Sequence, residues 1–270
     1  MQWFLNFNPA TSIELSDRGL AYGDGLFETL SAHDGVISNL SLHLSRLERG
    51  FKRLGFKVDT SEIVKLAGFL SDQAARFESV GFKVMVTRGS GGRGYLPPAS
   101  ANFSWLVGMF DLPDYSAAQS QGISLTHLPV QTSINRNTAG LKHLNRLENV
   151  LAKQMLPDGY FEAVLSDANG KMVECVQSNL FWVKNGELFT PLLSASGVQG
   201  TMRHAVIQAH LGVVNIVQED ILTLSDADEI FITNALSGIL PVVQFNDREL
   251  SVGPICRSLR ERLVNSHEIN

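Results

Sequence analysis

Ala139-Gly140-Leu141-Lys142-His143-Leu144-Asn145-Arg146-Leu147-Glu148 lies near the middle of a chain of 270 residues, and its reading decides how the rest is understood. Leu144, Leu147, Val150 and Leu151 recur at helical spacing, which predicts a helix from about Lys142 to Met155 with these four side chains turned inward. Lys142 then stands at a helix entrance, where the backbone field is positive. Arg146 and Arg136 add like charge nearby, which favours the neutral, nucleophilic amine that bonding to a carbonyl carbon requires. A solvated lysine opening a helix is the ordinary alternative, so the surrounding residues must discriminate.

Downstream, Val173-Glu174-Cys175-Val176-Gln177-Ser178-Asn179-Leu180-Phe181 reads as a strand entering a core. A carboxylate buried there is costly unless paired, and a protonated ring nitrogen is one suitable partner; an outward-pointing strand residue is the other reading. Two turns are candidate anion seats. Gly197-Val198-Gln199-Gly200-Thr201-Met202-Arg203 precedes a helical stretch from about Ala205 to Leu211, whose first amides could face a phosphate. Thr233-Asn234-Ala235-Leu236-Ser237-Gly238 closes a strand in small residues, though a simple structural turn explains either segment by itself. Asn169-Gly170, Asn185-Gly186 and Asn246-Asp247 punctuate several short strands, the pattern of a barrel-like β domain carrying a few helices.

Upstream, Leu26 to His33, Asp34-Gly35, then Val36-Ile37 predict a hairpin. Leu40, Leu44, Leu47, Phe51 and Leu54 form one apolar helix stripe, with Asn39 as its expected N-cap. A second helix is expected from about Ser61 to Phe77, with Ile63, Leu66, Phe69 and Leu70 inside. Val84 to Thr87 and Phe103 to Phe110 read as buried strands. The polar stretch Leu112 to Gln121 reads as a linker, giving an N-terminal α/β domain over 1–115 and a C-terminal domain over 116–270 that carries Lys142.

Gly89-Ser90-Gly91-Gly92-Arg93-Gly94-Tyr95 formally satisfies the dinucleotide signature. Its context does not: the glycines run into Leu96-Pro97-Pro98 instead of opening a helix, and no Lys-Ser/Thr follows to make a P-loop. A nucleotide- or phosphate-binding module built on these glycines is therefore the distant alternative. As a substrate loop, it would offer Arg88 and Arg93 as carboxylate clamps and Tyr95 as a ring or hydroxyl contact.

Composition narrows the class. Hydrophobic residues make up 44% and charged residues 18%, with a net charge of −5, so a globular chain is expected with no nucleic-acid or membrane partner. Two cysteines, no readable leader and no long apolar run make a cytoplasmic enzyme the default. No metal site is expected.

Taken together, these segments resemble the fold-type IV pyridoxal-phosphate enzymes of the branched-chain aminotransferase superfamily, and among them the aminodeoxychorismate lyases. Tyr22-Gly23-Asp24-Gly25, His43-Leu44-Ser45-Arg46-Leu47 and Glu174 through Asn179-Leu180-Phe181 are similar across the superfamily, while residues 88–95 and 139–148 resemble the lyases in particular. The resemblance implies an α/β (α+β) chain of two domains, a two-layer α/β sandwich and a barrel-like β domain, with pyridoxal 5′-phosphate at their interface, and a homodimer. It implies Lys142 as the lysine bonded to the cofactor and Glu174 as the partner of the pyridine nitrogen. Arg46, Thr201, Met202, Asn234 and Ala235 would serve the phosphate, with Ser178 and Asn179 beside the cofactor. Thr29 and Tyr22 would assist proton transfer and substrate binding, with Arg88, Arg93 and Tyr95 on the substrate. Ala235 stands where relatives often carry a hydroxyl, and Thr201 where an apolar residue is common, so both imply backbone contacts. The implied reaction converts 4-amino-4-deoxychorismate to 4-aminobenzoate and pyruvate for folate synthesis. A D-amino-acid or branched-chain aminotransferase is the alternative on the same fold.

Overall fold

The computed structural model describes residues 1–91 and 94–267, with 264–267 as backbone only. Contacts divide the chain into two compact units. The first comprises Met1–Pro113 and takes back Leu141–Asn145; the second comprises Asp114–Gly140 and the chain from Arg146 onward. Lys142, expected in the second domain, thus belongs by its contacts to the first unit.

In the first unit the elements are β1 (Gln2–Leu5), β2 (Asn8–Pro9), α1 (Arg18–Tyr22), β3 (Gly25–His33), β4 (Val36–Ile37), α2 (Leu40–Leu54), α3 (Thr60–Ala74), β5 (Ser79–Thr87) and β6 (Ser104–Phe110). They build an antiparallel sheet of order β2-β1-β6-β5-β3-β4. The β3–β4 turn forms as expected, with Asp34 and Gly35 both left-handed at φ 48° and 80°. Helix α2 covers the predicted stripe, but Asn39 adopts φ 53° and makes no side-chain cap. Helix α3 is capped instead by Asp59, whose carboxylate accepts the Ser61 amide at 2.8 Å, and it ends at Ala74, short of Phe77.

Period-two alternation sorts the faces of this sheet. Leu26, Leu30, Phe82, Val84 and Val86 are buried in one cluster with Leu47, Phe51, Leu66 and Leu70 of α2 and α3. Each such side chain contributes about 1.5–3 kcal/mol on full burial. Phe27, Thr29, Lys83 and Met85 occupy the alternate positions, with Thr29 opposite Lys83 and Phe27 opposite Met85.

In the second unit the elements are α4 (Ser116–Gln121), β7 (Ile123–Thr132), α5 (Leu147–Gln154), β8 (Glu162–Asp167), β9 (Met172–Cys175), β10 (Asn179–Lys184), β11 (Glu187–Pro191), α6 (Thr201–Ala209), β12 (Val214–Val217), a 3-10 turn at Ile221–Asp226, β13 (Glu229–Asn234), β14 (Gly238–Phe245), β15 (Arg248–Glu249) and α7 (Pro254–His267). The mixed sheet runs β12-β11-β10-β13-β14-β7-β8-β9, with β15 on β14. It curls until β9 lies against β10 and β11, the barrel-like form expected. One face holds Leu180, Trp182, Ile230, Ile232 and Leu240. The other packs Phe181, Val183 and Phe231 against Val206 of α6 and Leu259 of α7. With both faces covered, β10 and β13 show no alternation in sequence.

Two expectations are corrected here. The stretch read as an unpatterned linker folds at Ser116–Gln121 into α4, which Gln119 ties to the Ser237 carbonyl at 3.0 Å. Helix α5 begins at Leu147, not Lys142, and the residues expected inside face out: Leu147, Val150 and Leu151 are 70%, 50% and 48% exposed, while Ala152 is buried.

Candidate active site

Lys142 sits in extended backbone. Its carbonyl accepts the Phe27 amide at 2.8 Å, the Leu144 amide reaches the Gly25 carbonyl at 3.1 Å, and His143 bridges antiparallel to Leu26. This pairing with β3 satisfies groups that a helix would otherwise satisfy, which explains the later start of α5. The Lys142 ammonium lies 4.3 Å from the centroid of the Phe27 ring, and Lys83 Nζ lies 5.8 Å from the same centroid. Thr29 follows Phe27 on that face of β3. Lys83 was not anticipated, because only the register of β5 against β3 brings it there.

Behind β3, Glu28 is buried and binds both ends of the His43–Arg46 pair of α2. His43 Nδ1 is 2.6 Å from Glu28 Oε2, Arg46 Nε donates to Oε1 at 2.7 Å, and Arg46 Nη2 also closes on the carboxylate. Residues three apart share a helix face, so the His-x-x-Arg spacing delivers both to one strand position. Burial alone would raise the Glu28 carboxyl, but the Arg46 charge and the hydrogen bonds from Arg46 and His43 outweigh it and hold it at about 2. Burial pushes His43 down despite Glu28. Arg46, expected as a phosphate ligand, is thereby oriented by a buried carboxylate that the sequence reading did not single out.

Arg88 is not the free clamp expected of it. Its guanidinium binds Asp24 through Nε at 2.7 Å and Nη2 at 3.1 Å, donates to the Leu54 carbonyl at 2.9 Å and covers the Phe56 ring at 4.3 Å. Asp24 also takes Arg18 Nε at 2.9 Å, and Arg18 donates to the carbonyls of Gly94 and Tyr95, each at 3.0 Å. Burial would raise the Asp24 carboxyl, but the two arginines hold it below the usual range. The result tethers both ends of the glycine-rich segment to one aspartate. The exposed Tyr95 ring packs on Tyr22 with centroids 5.6 Å apart. Arg93 lies outside the described residues.

In the second unit Glu174 is buried on β9, and its Oε2 accepts the Val198 amide at 2.8 Å. Gly197 makes this approach possible: its φ is 77°, and a Cβ there would stand 2.6 Å from Val173 Cγ1. Two arginines add their charge, Arg203 buried and Arg146 partly buried. Burial lowers the Arg203 guanidinium to about 10 against the opposing pull of Glu174, and lowers Arg146 against Glu174 and Glu148. Arg203 donates to Thr190 Oγ1 at 3.2 Å and to the Pro191 carbonyl at 3.0 Å; its place at the end of the 197–203 segment was its only signal.

The two candidate anion seats take different forms. Gly200 is the N-cap of α6 and supplies no capping side chain to the first amides, which belong to Thr201 and Met202. Asn179 braces this turn by donating to the Val198 carbonyl at 2.9 Å. At the second seat Asn234 Oδ1 accepts the Leu236 and Ser237 amides at 2.9 and 2.8 Å, with Ala235 enclosed between. Ser178 meets Asn234 Nδ2 at 3.1 Å, so these two expected residues contact each other. The buried hydroxyls of Thr233 and Ser237 have no hydrogen-bond partner among the described residues.

Comparisons with known proteins identify the family. The family model for class IV amino-transferases matches residues 25–245. The aminodeoxychorismate lyase of Vibrio harveyi is 32% identical, over 97% of this chain and 99% of its own. The crystal structure of 4-amino-4-deoxychorismate lyase from Pseudomonas aeruginosa superimposes with a TM-score of 0.92 at 36% identity, covering 97% of this chain and 98% of that one. A putative branched-chain-amino-acid aminotransferase of Methanocaldococcus jannaschii is 33% identical, over 93% of this chain and 89% of its own.

Proposed function

We propose, for a chain that belongs to the class IV amino-transferase family, that Lys142 and Glu174 carry the conversion of 4-amino-4-deoxychorismate to 4-aminobenzoate and pyruvate with pyridoxal 5′-phosphate as cofactor. The observation that carries this reading is the end-to-end likeness to the Pseudomonas aeruginosa lyase.

The residues present fit that cofactor. The first unit supplies a primary amine at Lys142, and the second supplies a buried carboxylate at Glu174, a helix start at Gly200 and buried hydroxyls at Thr233 and Ser237 with no hydrogen-bond partner among the described residues; their chemistry suits an aldehyde, a ring nitrogen and a phosphate. Arg46, the Thr201 and Met202 amides and the Asn234–Ala235 turn would hold the phosphate. Ser178 and Asn179 act by fixing those turns.

Pyridoxal 5′-phosphate, when bound, supplies the electron sink that makes the substrate C4–H bond acidic. Lys142 Nζ would take the C4 proton, acting from a strand-paired backbone that fixes the base of its four-carbon stem. Glu174, buried and braced by the Val198 amide, would hold the proton on the ring nitrogen. The C3–O bond to the enolpyruvyl group then breaks, and the ring becomes aromatic, which drives the step to completion. The proton removed at C4 balances the one required at the methylene carbon of enolpyruvate. Thr29, on the same strand face as Phe27, would relay that proton, and the Tyr22–Tyr95 pair would offer an aromatic wall to the ring.

This reading includes a cytoplasmic homodimer. The exposed Leu147, Val150 and Leu151 of α5 support a partner subunit, and the two free cysteines, both buried, suit a reducing compartment. No helix among the described residues is long and apolar enough to cross a membrane.

The test compares release of 4-aminobenzoate from enzymatically prepared aminodeoxychorismate with amino transfer from alanine or leucine to 2-oxoglutarate. The lyase reaction should dominate, and Lys142→Ala should lower it by about 10²–10⁴-fold or more. Transfer alone at a useful rate would assign the chain to the aminotransferase side of its family.

A further inference from the structure

Glu162, at the start of β8, appears in no catalytic step above, yet it is buried with its carboxylate committed to the turn between β9 and β10. Oε1 accepts the Gln177 amide, and Oε2 accepts the Ser178 hydroxyl at 2.8 Å. Burial pushes this carboxyl up, and those donors pull it back. The Ser178 oxygen in turn accepts Asn234 Nδ2 at 3.1 Å, and Asn234 Oδ1 accepts the Leu236 and Ser237 amides.

These bonds form a wire with a direction. An ionised carboxylate can only accept, so the Ser178 proton points at Glu162 and leaves its oxygen to receive Asn234. That fixes which end of the Asn234 amide faces Ser178, and therefore puts its oxygen towards the amides of the turn. The geometry points to Glu162 as the positioning residue of the Asn234–Ser237 turn, acting through Ser178 to hold that turn in its phosphate-binding form. The inference rests on the reading of that turn as a phosphate seat.

Glu162→Gln changes one atom and reverses one bond. The amide oxygen still accepts Gln177, but the new N–H points at Ser178. Either the Ser178 proton loses its acceptor, or Asn234 flips and sets its N–H groups against those of Leu236 and Ser237. Ser178→Ala breaks the wire, so the Gln substitution should then have nothing to transmit.

The experiment measures equilibrium binding of pyridoxal 5′-phosphate and of pyridoxal, which lacks the phosphate, to the apo forms of the full chain, alongside melting temperatures. Glu162→Gln should weaken the phosphorylated ligand by about tenfold and leave pyridoxal within about twofold. Glu162→Asp should restore most of the difference, because it remains an acceptor. In a Ser178→Ala background the further effect of Glu162→Gln should fall below about threefold, as expected for residues acting in one network. Equal weakening of both ligands, or an undiminished effect of Glu162→Gln without Ser178, overturns the assignment. Should Glu162→Gln fail to fold, Ser178→Ala alone must lower the ratio of the two affinities, and an unchanged ratio overturns it equally. A parent protein that binds neither ligand overturns the cofactor reading itself, a result distinct from any of these.

Discussion

The Arg46 guanidinium and the Glu28 carboxylate form a buried ion pair between α2 and β3, with His43 on the same carboxylate. The pair has a consequence for acid stability. Glu28 is held at about 2 in the folded chain against an ordinary value of 4.5, so its stabilisation is present above about 4.5 and is lost as pH falls towards about 2. That depression is worth on the order of 3 kcal/mol. Urea unfolding followed between pH about 5 and about 3 should show this loss in the parent protein. Glu28→Gln should flatten that part of the profile while costing about 3–5 kcal/mol at neutral pH, because it strands Arg46.

Asp24 bonds to two arginines while Arg88 bonds to one aspartate, which ranks the substitutions. Asp24→Asn should lower the melting temperature more than Arg88→Ala, since it weakens both Arg18 and Arg88 and loosens the Gly94–Tyr95 backbone that Arg18 holds. Removing the Arg88 donors should cost about 1–3 kcal/mol of stability. A free carboxylate clamp would show the opposite balance, a large rise in KM with an unchanged melting temperature.

Gly200→Ala tests the first anion seat. A Cβ at Gly200 runs into Asn179 Oδ1, the amide whose other end braces the Val198 carbonyl. The variant should keep its overall fold by circular dichroism and lose affinity for pyridoxal 5′-phosphate by about tenfold or more, while Gly159→Ala, where a Cβ meets nothing, should leave that affinity unchanged. Gly159 has a φ of 86°, so that control should lower the melting temperature slightly.

The apolar side of α5 tests the subunit arrangement. Sedimentation equilibrium of the parent chain should give twice the 29.6 kDa of one chain. Val150→Asp combined with Leu151→Asp should shift it towards the monomer without lowering helix content. Two buried charges at an interface centre cost several kcal/mol each, whereas on a solvent-facing helix they cost little. A parent that sediments as a monomer removes the dimer from the proposal.

The residues that could be read in advance were those whose partners are close in sequence. The Asp34-Gly35 turn and the stripe from Leu40 to Leu54 depend on φ preferences and on spacing within one helix, so both formed where expected. The close backbone approaches at glycines 197 and 200 were legible because glycine marks such approach wherever it occurs. Glu28, Lys83 and Glu162 were not legible, because nothing local distinguishes a charged residue on a strand from a surface one until the register places its partner.

Lys142 shows where that division falls. The sequence by itself singled out this lysine as the candidate, through the residues flanking it and their likeness to a known family. It could not determine the lysine's backbone, because Leu144, Leu147, Val150 and Leu151 suit a helix as well as any local rule can judge. Only the tertiary structure offered the competing partner, the open edges of Gly25 and Phe27 some 115 residues earlier in the chain. Hydrogen bonds to that strand replace the first helical turn, and so the lysine stands in extended backbone over an aromatic ring instead of at a helix entrance.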